Sequence, residues 1–199
     1  MLWVGWFGFN GGSALAANAD AGMAILVTHI SASVASLVWI VIEWLRFGKP
    51  SLVGVVTGAI AGLASITPAS GFVGPLGAVL IGLISGYVCY EAVGIIKNKF
   101  KVDDSLDVFA VHGLGGTIGI LLLPFLISES FGGVGYGDGT FSSLMSAQVI
   151  GVIAVLVFTL VLSYVLAVIT KSLVGIRVSD DQIEEGLDIS SHGQSGYKL

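Results

Sequence analysis

His112 is the residue of this sequence whose side chain is best suited to chemistry in an apolar environment. It lies in Val108–Ser128, a run of 21 residues without Asp, Glu, Lys or Arg that is typical of a membrane-spanning helix. An ionisable side chain inside such a span is a candidate for a substrate pathway or a proton relay. Imidazole suits either role because it donates and accepts hydrogen bonds and titrates near neutral pH. The alternative is a buried polar residue that hydrogen-bonds to a neighbouring helix.

The composition indicates that the whole chain is embedded in a membrane. The 199 residues are 55% hydrophobic and only 11% charged, and the mean hydropathy is +0.97. Such a low charge content argues against a water-soluble domain. One cysteine and three widely separated histidines favour neither a disulfide framework nor a metal site. No motif indicates nucleic-acid binding, a cofactor or an enzymatic nucleophile.

Charge-free runs divide the chain into six predicted transmembrane helices of an all-α polytopic bundle. A spanning helix needs about 20 residues at a rise of about 1.5 Å each, so the third run is short. A Thr-Pro-Ala-Ser-Gly turn separates the third run from the fourth. The six runs are Leu2–Ala19, Ala21–Ile42, Leu52–Ile66, Phe72–Ile96, Val108–Ile127 and Leu144–Thr170.

The basic residues predict the orientation of these spans. All eight Lys and Arg fall on one side of the six-span arrangement: Arg46, Lys49, Lys97, Lys99, Lys101, Lys171, Arg177 and Lys198. The opposite loops carry only the acidic residues Asp20, Glu129 and Asp138. The positive-inside rule then places both chain ends in the cytoplasm. We expect residues 1–170 to form the transmembrane bundle and residues 171–199 to form a cytoplasmic tail.

Glycine spacing predicts how the helices pack. Many of the 29 glycines recur four residues apart, as at Gly8 and Gly12, at Gly58 and Gly62, and at Gly115 and Gly119. In lipid, helices associate through the close backbone approach that small residues allow. The spacing therefore predicts a tightly packed bundle and does not by itself indicate a pore.

Three further motifs occur in a specific order along the chain. The second motif, Asp103–Gly116, contains Asp104 and Asp107. Both precede the His112 helix, where negative charge is favoured by the positive end of the helix dipole. We interpret these two carboxylates as structural caps. The motifs are Trp3–Ser13 (WVGWFGFNGGS), Asp103–Gly116 (DDSLDVFAVHGLGG), and a tail with Gly175–Val178, Glu185–Asp188 and Ser191–Gly193.

These motifs resemble the carboxyl-terminal half of ammonium transporters of the Amt/Mep/Rh family. The resemblance extends to the Thr-Pro-Ala-Ser-Gly turn at 67–71, to Glu43-Trp44 and to Gly48-Lys49-Pro50. Family members have eleven spans, built as two inverted five-helix repeats and a final long helix. They assemble as trimers with one pore in each subunit. The resemblance implies that this chain contains spans six to eleven, which are the second repeat and the last helix.

The resemblance also implies roles for individual residues. His112 matches the second of two pore histidines, which conduct ammonia and relay protons. Phe9 matches an aromatic gate at the outer end of the pore, and Ser13 matches a hydroxyl of the outer ammonium-recruiting site. The tail matches a regulatory segment, which implies a small signalling partner of the PII type. His29 matches no pore motif, and we expect it to make an interhelical hydrogen bond.

The chain lacks a second copy of the repeat, which would supply the first pore histidine and part of the recruiting site. The sequence is thus a fragment, a truncated gene product, or half of a split transporter. Two functions remain open at this point. One is ammonium transport by a partial chain; the other is a non-conducting ammonium sensor or interaction module that acts through the tail.

Overall fold

The computed structural model describes residues 1–196, a range that is helical and contains no β-strand. The all-α prediction is therefore confirmed, while Lys198 and the end of the predicted tail lie outside the described residues. The helices are α1 (Leu2–Gly12), α2 (Ala19–Phe47), α3 (Leu52–Ile66), α4 (Pro75–Gly94), α5 (Gly115–Leu126), α6 (Phe141–Leu173), α7 (Asp180–Glu185) and α8 (Leu187–Ser190). A π-helical turn, Ile95–Lys99, extends α4, and a second one, Phe109–Leu114, leads into α5. Glu129–Phe131 forms a 3-10 turn.

Several of these helices are apolar and long enough to cross a membrane. Within residues 1–196, four segments meet both criteria: Ala19–Phe47, Pro75–Lys99, Phe109–Leu126 and Phe141–Leu173. The other two apolar helices are shorter, with 15 residues in α3 and 11 in α1. The six predicted charge-free runs thus correspond to six apolar helices of unequal length.

The first predicted run extends past the end of α1. This helix ends at Gly12, and Leu15 adopts a left-handed conformation with φ of 58°. Asn18 then starts α2, because its side chain accepts a hydrogen bond from the Ala21 N–H at 3.1 Å. The apolar composition of the run conceals this break, since the turn contains mainly alanine.

The chain divides into two compact units, Met1–Val152 and Ile153–Leu199. In the first unit, α2 packs against α1, α3 and α4, while α3 also packs against α5. Two of the buried clusters lie between these helices. One contains Val27, Ile66, Ala69, Val73, Ala78, Ile81, Leu123, Leu126 and Ile127, and the other contains Trp39, Ala61, Cys89 and Val111.

The second unit contains the rest of α6 and the two short helices of the tail. No residue of α6 is buried. A capping box starts α7, in which Ser179 and Gln182 exchange hydrogen bonds between side chain and backbone. The chain then folds back after α8, where the Gln194 N–H donates to the Asp188 carbonyl at 2.8 Å. The predicted boundary between the transmembrane bundle and the tail at residue 170 remains a prediction. The boundary between the two compact units instead follows Val152, within α6.

Small residues let α3 approach α2 and α5 closely. The Ser31 hydroxyl of α2 donates to the Gly62 carbonyl at 2.9 Å, and a Cβ at Gly62 would collide with the Ser31 backbone. On the other side of α3, a Cβ at Gly119 of α5 would collide with the Ser65 carbonyl. The predicted close packing is confirmed at both glycines. Gly8 and Gly12 instead face open space.

Two ion pairs form at the basic ends of α2 and of the extended α4. Arg46 at the end of α2 pairs with Glu91 near the end of α4. Lys97 lies 2.7 Å from Asp107, in the loop that precedes the second π-helical turn. These contacts bring Arg46, Lys97 and Asp107 to one end of the bundle.

Adding a methyl group at Gly119 should weaken the contact between α3 and α5. We expect Gly119→Ala to lower the free energy of unfolding by about 1–3 kcal/mol, because overpacking shifts the Ser65 backbone. Gly116→Ala is the matched control on the same helix, since nothing lies within 4 Å of a Cβ there. Thermal unfolding in detergent checks this prediction, and equal stability of the two variants would contradict it.

Candidate functional site

His112 lies in the π-helical turn Phe109–Leu114, which we call the His112 turn. Ala110 and Val111 of this turn are buried, whereas the His112 side chain is exposed. A π-helical turn changes the direction of the side chains that follow it, and such turns are frequent at functional sites. The turn therefore anchors its apolar residues in the bundle and directs the imidazole away from the core.

Asp104 and Asp107 lie in the segment that leads into the His112 turn and make different contacts. The Asp104 carboxylate accepts hydrogen bonds from the backbone N–H groups of Val108 at 2.9 Å and Phe109 at 2.8 Å. These bonds hold the pKa of Asp104 below its usual range, with smaller contributions from Lys97 and His112. Asp107 has a left-handed backbone with φ of 56° and forms the ion pair with Lys97.

Three aromatic side chains, one of them His112, form a continuous row. The Trp6 ring stacks on the His112 ring, with centroids 6.1 Å apart and an interplanar angle of 18°. The other end of Trp6 contacts Phe9 edge to face, with centroids 6.3 Å apart. The structure thus connects the predicted gate residue Phe9 to the predicted pore residue His112 through one side chain. We call Phe9, Trp6 and His112 the aromatic row.

Trp6 is the member of this row that our sequence analysis did not single out. The residue stands three positions before Phe9, a spacing that places two side chains on one face of a helix. That spacing is the sequence signal that places Trp6 beside Phe9. The stacking on His112 joins residues that lie far apart in the sequence, and no local pattern predicts it.

A hydrogen bond to the end of α3 holds the Trp6 indole. The indole N–H donates to the Thr67 hydroxyl at 2.7 Å, and this hydroxyl donates to the Leu63 carbonyl at 2.7 Å. Thr67 opens the Thr-Pro-Ala-Ser-Gly turn between α3 and α4. Three separate elements, α1, α3 and the His112 turn, therefore meet at Trp6.

Ser13 lies one turn beyond Phe9, directly after the end of α1. Its hydroxyl donates to the Phe9 carbonyl at 2.7 Å, so its lone pairs remain available as acceptors. Buried Asn10 fixes this end of α1, because its amide donates to the Thr28 hydroxyl of α2 at 2.9 Å. A cation that approaches Ser13 would therefore meet an oxygen acceptor one helical turn beyond Phe9.

His29 contacts another part of α1. Its ring lies 5.3 Å from the Trp3 ring and 5.9 Å from the Phe7 ring. The expected interhelical hydrogen bond is absent among the described residues, and aromatic contacts take its place. The structure does not bring His29 into the aromatic row.

The model of the Ammonium Transporter Family matches residues 1–197. The chain belongs to the ammonium transporter family. A putative ammonium transporter of Methanothermobacter thermautotrophicus is 44% identical to it, over 100% of this chain and 50% of that protein. Ammonium transporter Amt1 of Archaeoglobus fulgidus is 46% identical, over 99% of this chain and 50% of that protein. The chain thus spans about half the length of the curated relatives it matches.

Solved structures of the family share this fold. A structure named Sensor Amt Protein has a TM-score of 0.86 and 32% identity, and the match covers 96% of this chain and 46% of that chain. The crystal structure of Saccharomyces cerevisiae Mep2 has a TM-score of 0.81 and 34% identity, over 90% of this chain and 42% of that one. With the apolar helices, this membership identifies a multi-pass membrane protein of the fold that the motifs predicted.

The Asp104 cap predicts a dependence of stability on pH. Because the pKa of Asp104 lies below its ordinary value of 3.8, ionised Asp104 stabilises the folded loop above that value. This contribution is lost as the pH falls through the lowered pKa. We expect Asp104→Asn to be less stable at neutral pH and to lose less stability between neutral pH and about pH 3.

The control for this change is Asp103→Asn, which alters the same charge at the neighbouring exposed position. It should follow the profile of the unmodified chain in thermal unfolding measured across that pH range. Identical profiles for the two variants would mean that the hydrogen bonds from Val108 and Phe109 do not stabilise the loop.

Proposed function

We propose that this chain supplies half of an ammonium-conducting pore, in which the aromatic row lines one side of the path. The aromatic row itself is the observation that carries the proposal, because it connects Phe9 to an exposed imidazole in a charge-poor bundle. The curated relatives described above are named ammonium transporters, which supports the same substrate. Membership of this family favours transport rather than catalysis.

The mechanism follows from the cost of moving a charge through apolar surroundings. An apolar path rejects the ammonium cation but admits neutral ammonia. The face of Phe9 attracts a cation through its quadrupole, and the Ser13 oxygen accepts one ammonium hydrogen bond. Ammonium is thus bound near Phe9 and Ser13, its proton is transferred to the imidazoles of the path, and neutral ammonia passes Trp6. The His112 imidazole then hydrogen-bonds to ammonia and relays protons, because it both accepts and donates.

The other side of this path comes from an amino-terminal repeat. His112 and Phe9 are both exposed in this chain, so their free faces are available to helices that the chain itself does not contain. In the proposed assembly, the first repeat supplies the first pore histidine and three subunits form a trimer. Charge asymmetry supports a plasma-membrane orientation with both chain ends in the cytoplasm. The tail then faces the cytoplasm, where a PII-type protein would bind it.

Uptake of labelled methylammonium tests the proposal in cells that lack their own transporters. The chain is expressed alone and then with a matching five-span amino-terminal half. We expect uptake only from the pair, since the path is open on one side in this chain. No uptake from the pair, with both halves in the membrane, would overturn the proposal. Ammonium-dependent binding of a protein to the tail without uptake would instead identify a sensor.

Within the conducting pair, His112→Ala should abolish saturable uptake. We expect a loss of at least about 100-fold, the usual scale for removing a residue that transfers protons. His29→Ala is the matched control, because it removes a second histidine from an apolar helix without touching the aromatic row. Undiminished uptake by His112→Ala, at equal amounts of protein in the membrane, would remove the role assigned to His112.

A further inference from the structure

The contact between Thr67 and Trp6 joins two parts of the sequence that the proposed mechanism uses separately. Trp6 lies on α1 and touches both other rings of the aromatic row, whereas Thr67 ends α3. Their side chains meet at 2.7 Å between the indole nitrogen and the hydroxyl oxygen. This bond is the only one from a described side chain to the Trp6 indole, so it determines where that ring can lie.

We propose that Thr67 is a positioning residue, whose hydroxyl holds the Trp6 ring in place between Phe9 and His112. The role of this position in conduction rests on the proposed function. The position of the Trp6 ring does not depend on the proposed function, and a measurement on the chain itself can test it.

The direction of each hydrogen bond supports this assignment. The Thr67 proton is donated to the Leu63 carbonyl, so only the lone pairs of that oxygen face Trp6. The indole nitrogen is a donor and never an acceptor. The bond therefore has one possible direction. The bond to the Leu63 carbonyl also selects one rotamer of Thr67, which keeps the oxygen in one place.

The position of Trp6 matters because one ring makes two contacts of different geometry. It lies nearly parallel to His112, at 18°, and nearly perpendicular to Phe9, at 89°. Rotation of the indole about its side-chain bonds would disrupt both contacts together. An unpaired donor in apolar surroundings costs free energy. Without the Thr67 oxygen, we therefore expect the indole to rotate toward another hydrogen-bond acceptor.

The decisive substitution is Thr67→Val, which keeps the shape of the side chain and removes the oxygen. Thr67→Ser restores the oxygen on a smaller side chain. Thr57→Val is the matched control on the same helix, because Thr57 also donates to the carbonyl four residues earlier, that of Val53, at 2.8 Å. Thr57 makes no contact with Trp6, so the control removes the same backbone bond alone.

The first readout is the NMR signal of the indole N–H in the chain labelled with 15N-tryptophan. Trp6→Phe assigns the Trp6 signal. The indole nitrogens of Trp3 and Trp39 are buried without a partner among the described residues and serve as internal references. We expect the Trp6 proton downfield of both. Thr67→Val should move it upfield, while Thr67→Ser and Thr57→Val should leave it downfield.

The second readout is methylammonium uptake by the chain paired with its amino-terminal half. Thr67→Val should lower uptake by about tenfold or less, as expected for the loss of one hydrogen bond, and Thr67→Ser should restore it. In a Trp6→Phe background, Thr67→Val should have no further effect, because no donor remains. Additive losses would show that Thr67 acts independently of Trp6 and would overturn the proposal.

The two readouts separate this proposal from the proposed function. A downfield Trp6 signal that depends on the Thr67 hydroxyl, in a pair that conducts nothing, would support the positioning role and contradict conduction. A Trp6 signal level with those of Trp3 and Trp39 in the unmodified chain would overturn the positioning role even if the pair conducts. That last comparison needs no variant at position 67, so it remains decisive if Thr67→Val does not fold.

Discussion

The position of α3 between α2 and α5 is the constraint on which the aromatic row depends. On one side, the Ser31 hydroxyl bonds the Gly62 carbonyl, and no side chain at Gly62 keeps the two backbones apart. On the other side, Gly119 lets α5 approach the Ser65 carbonyl. Such contacts replace the hydrophobic effect in lipid, where apolar side chains gain nothing by leaving water. Because Thr67 ends this helix, the same contacts also determine where the Trp6 indole finds its acceptor.

Two contrasting kinds of polar side chain occur on the apolar helices. Ser31, Thr28 and Thr67 each bond a neighbouring helix and are buried or half-buried. These bonds satisfy groups that would be costly to leave unpaired in hydrocarbon. His112 differs, because its ring is exposed and its contact is the face of Trp6. Among the described residues, no neighbouring helix hydrogen-bonds the His112 nitrogens, and this is the arrangement that the proposed contact with ammonia needs.

Sequence reasoning predicted those features that repeat locally or carry a distinctive motif. Charge-free runs identified the apolar helices, and glycine spacing predicted the close contacts at Gly62 and Gly119. The end of α1 escaped prediction, because an alanine-rich turn is as apolar as a helix and only Asn18 marks the new start. The role of Trp6 was not predicted, for a different reason. Its bond to Thr67 and its stacking on His112 are contacts across the fold, and a single sequence contains no signal for their pairing.

The exposed surfaces of the bundle are of two chemical kinds, and they call for different surroundings. The exposed side chains of α6 are overwhelmingly apolar over a helix of 33 residues with no buried position, which suits acyl chains. The exposed face of the aromatic row instead presents an imidazole, and Ser13 adds a hydroxyl beside Phe9. Ionisable groups at such positions face protein or a water-filled cavity and rarely lipid. The face that carries His112 therefore suits contact with further protein or with a water-filled cavity, and the repeat that completes the proposed pore would provide such surroundings.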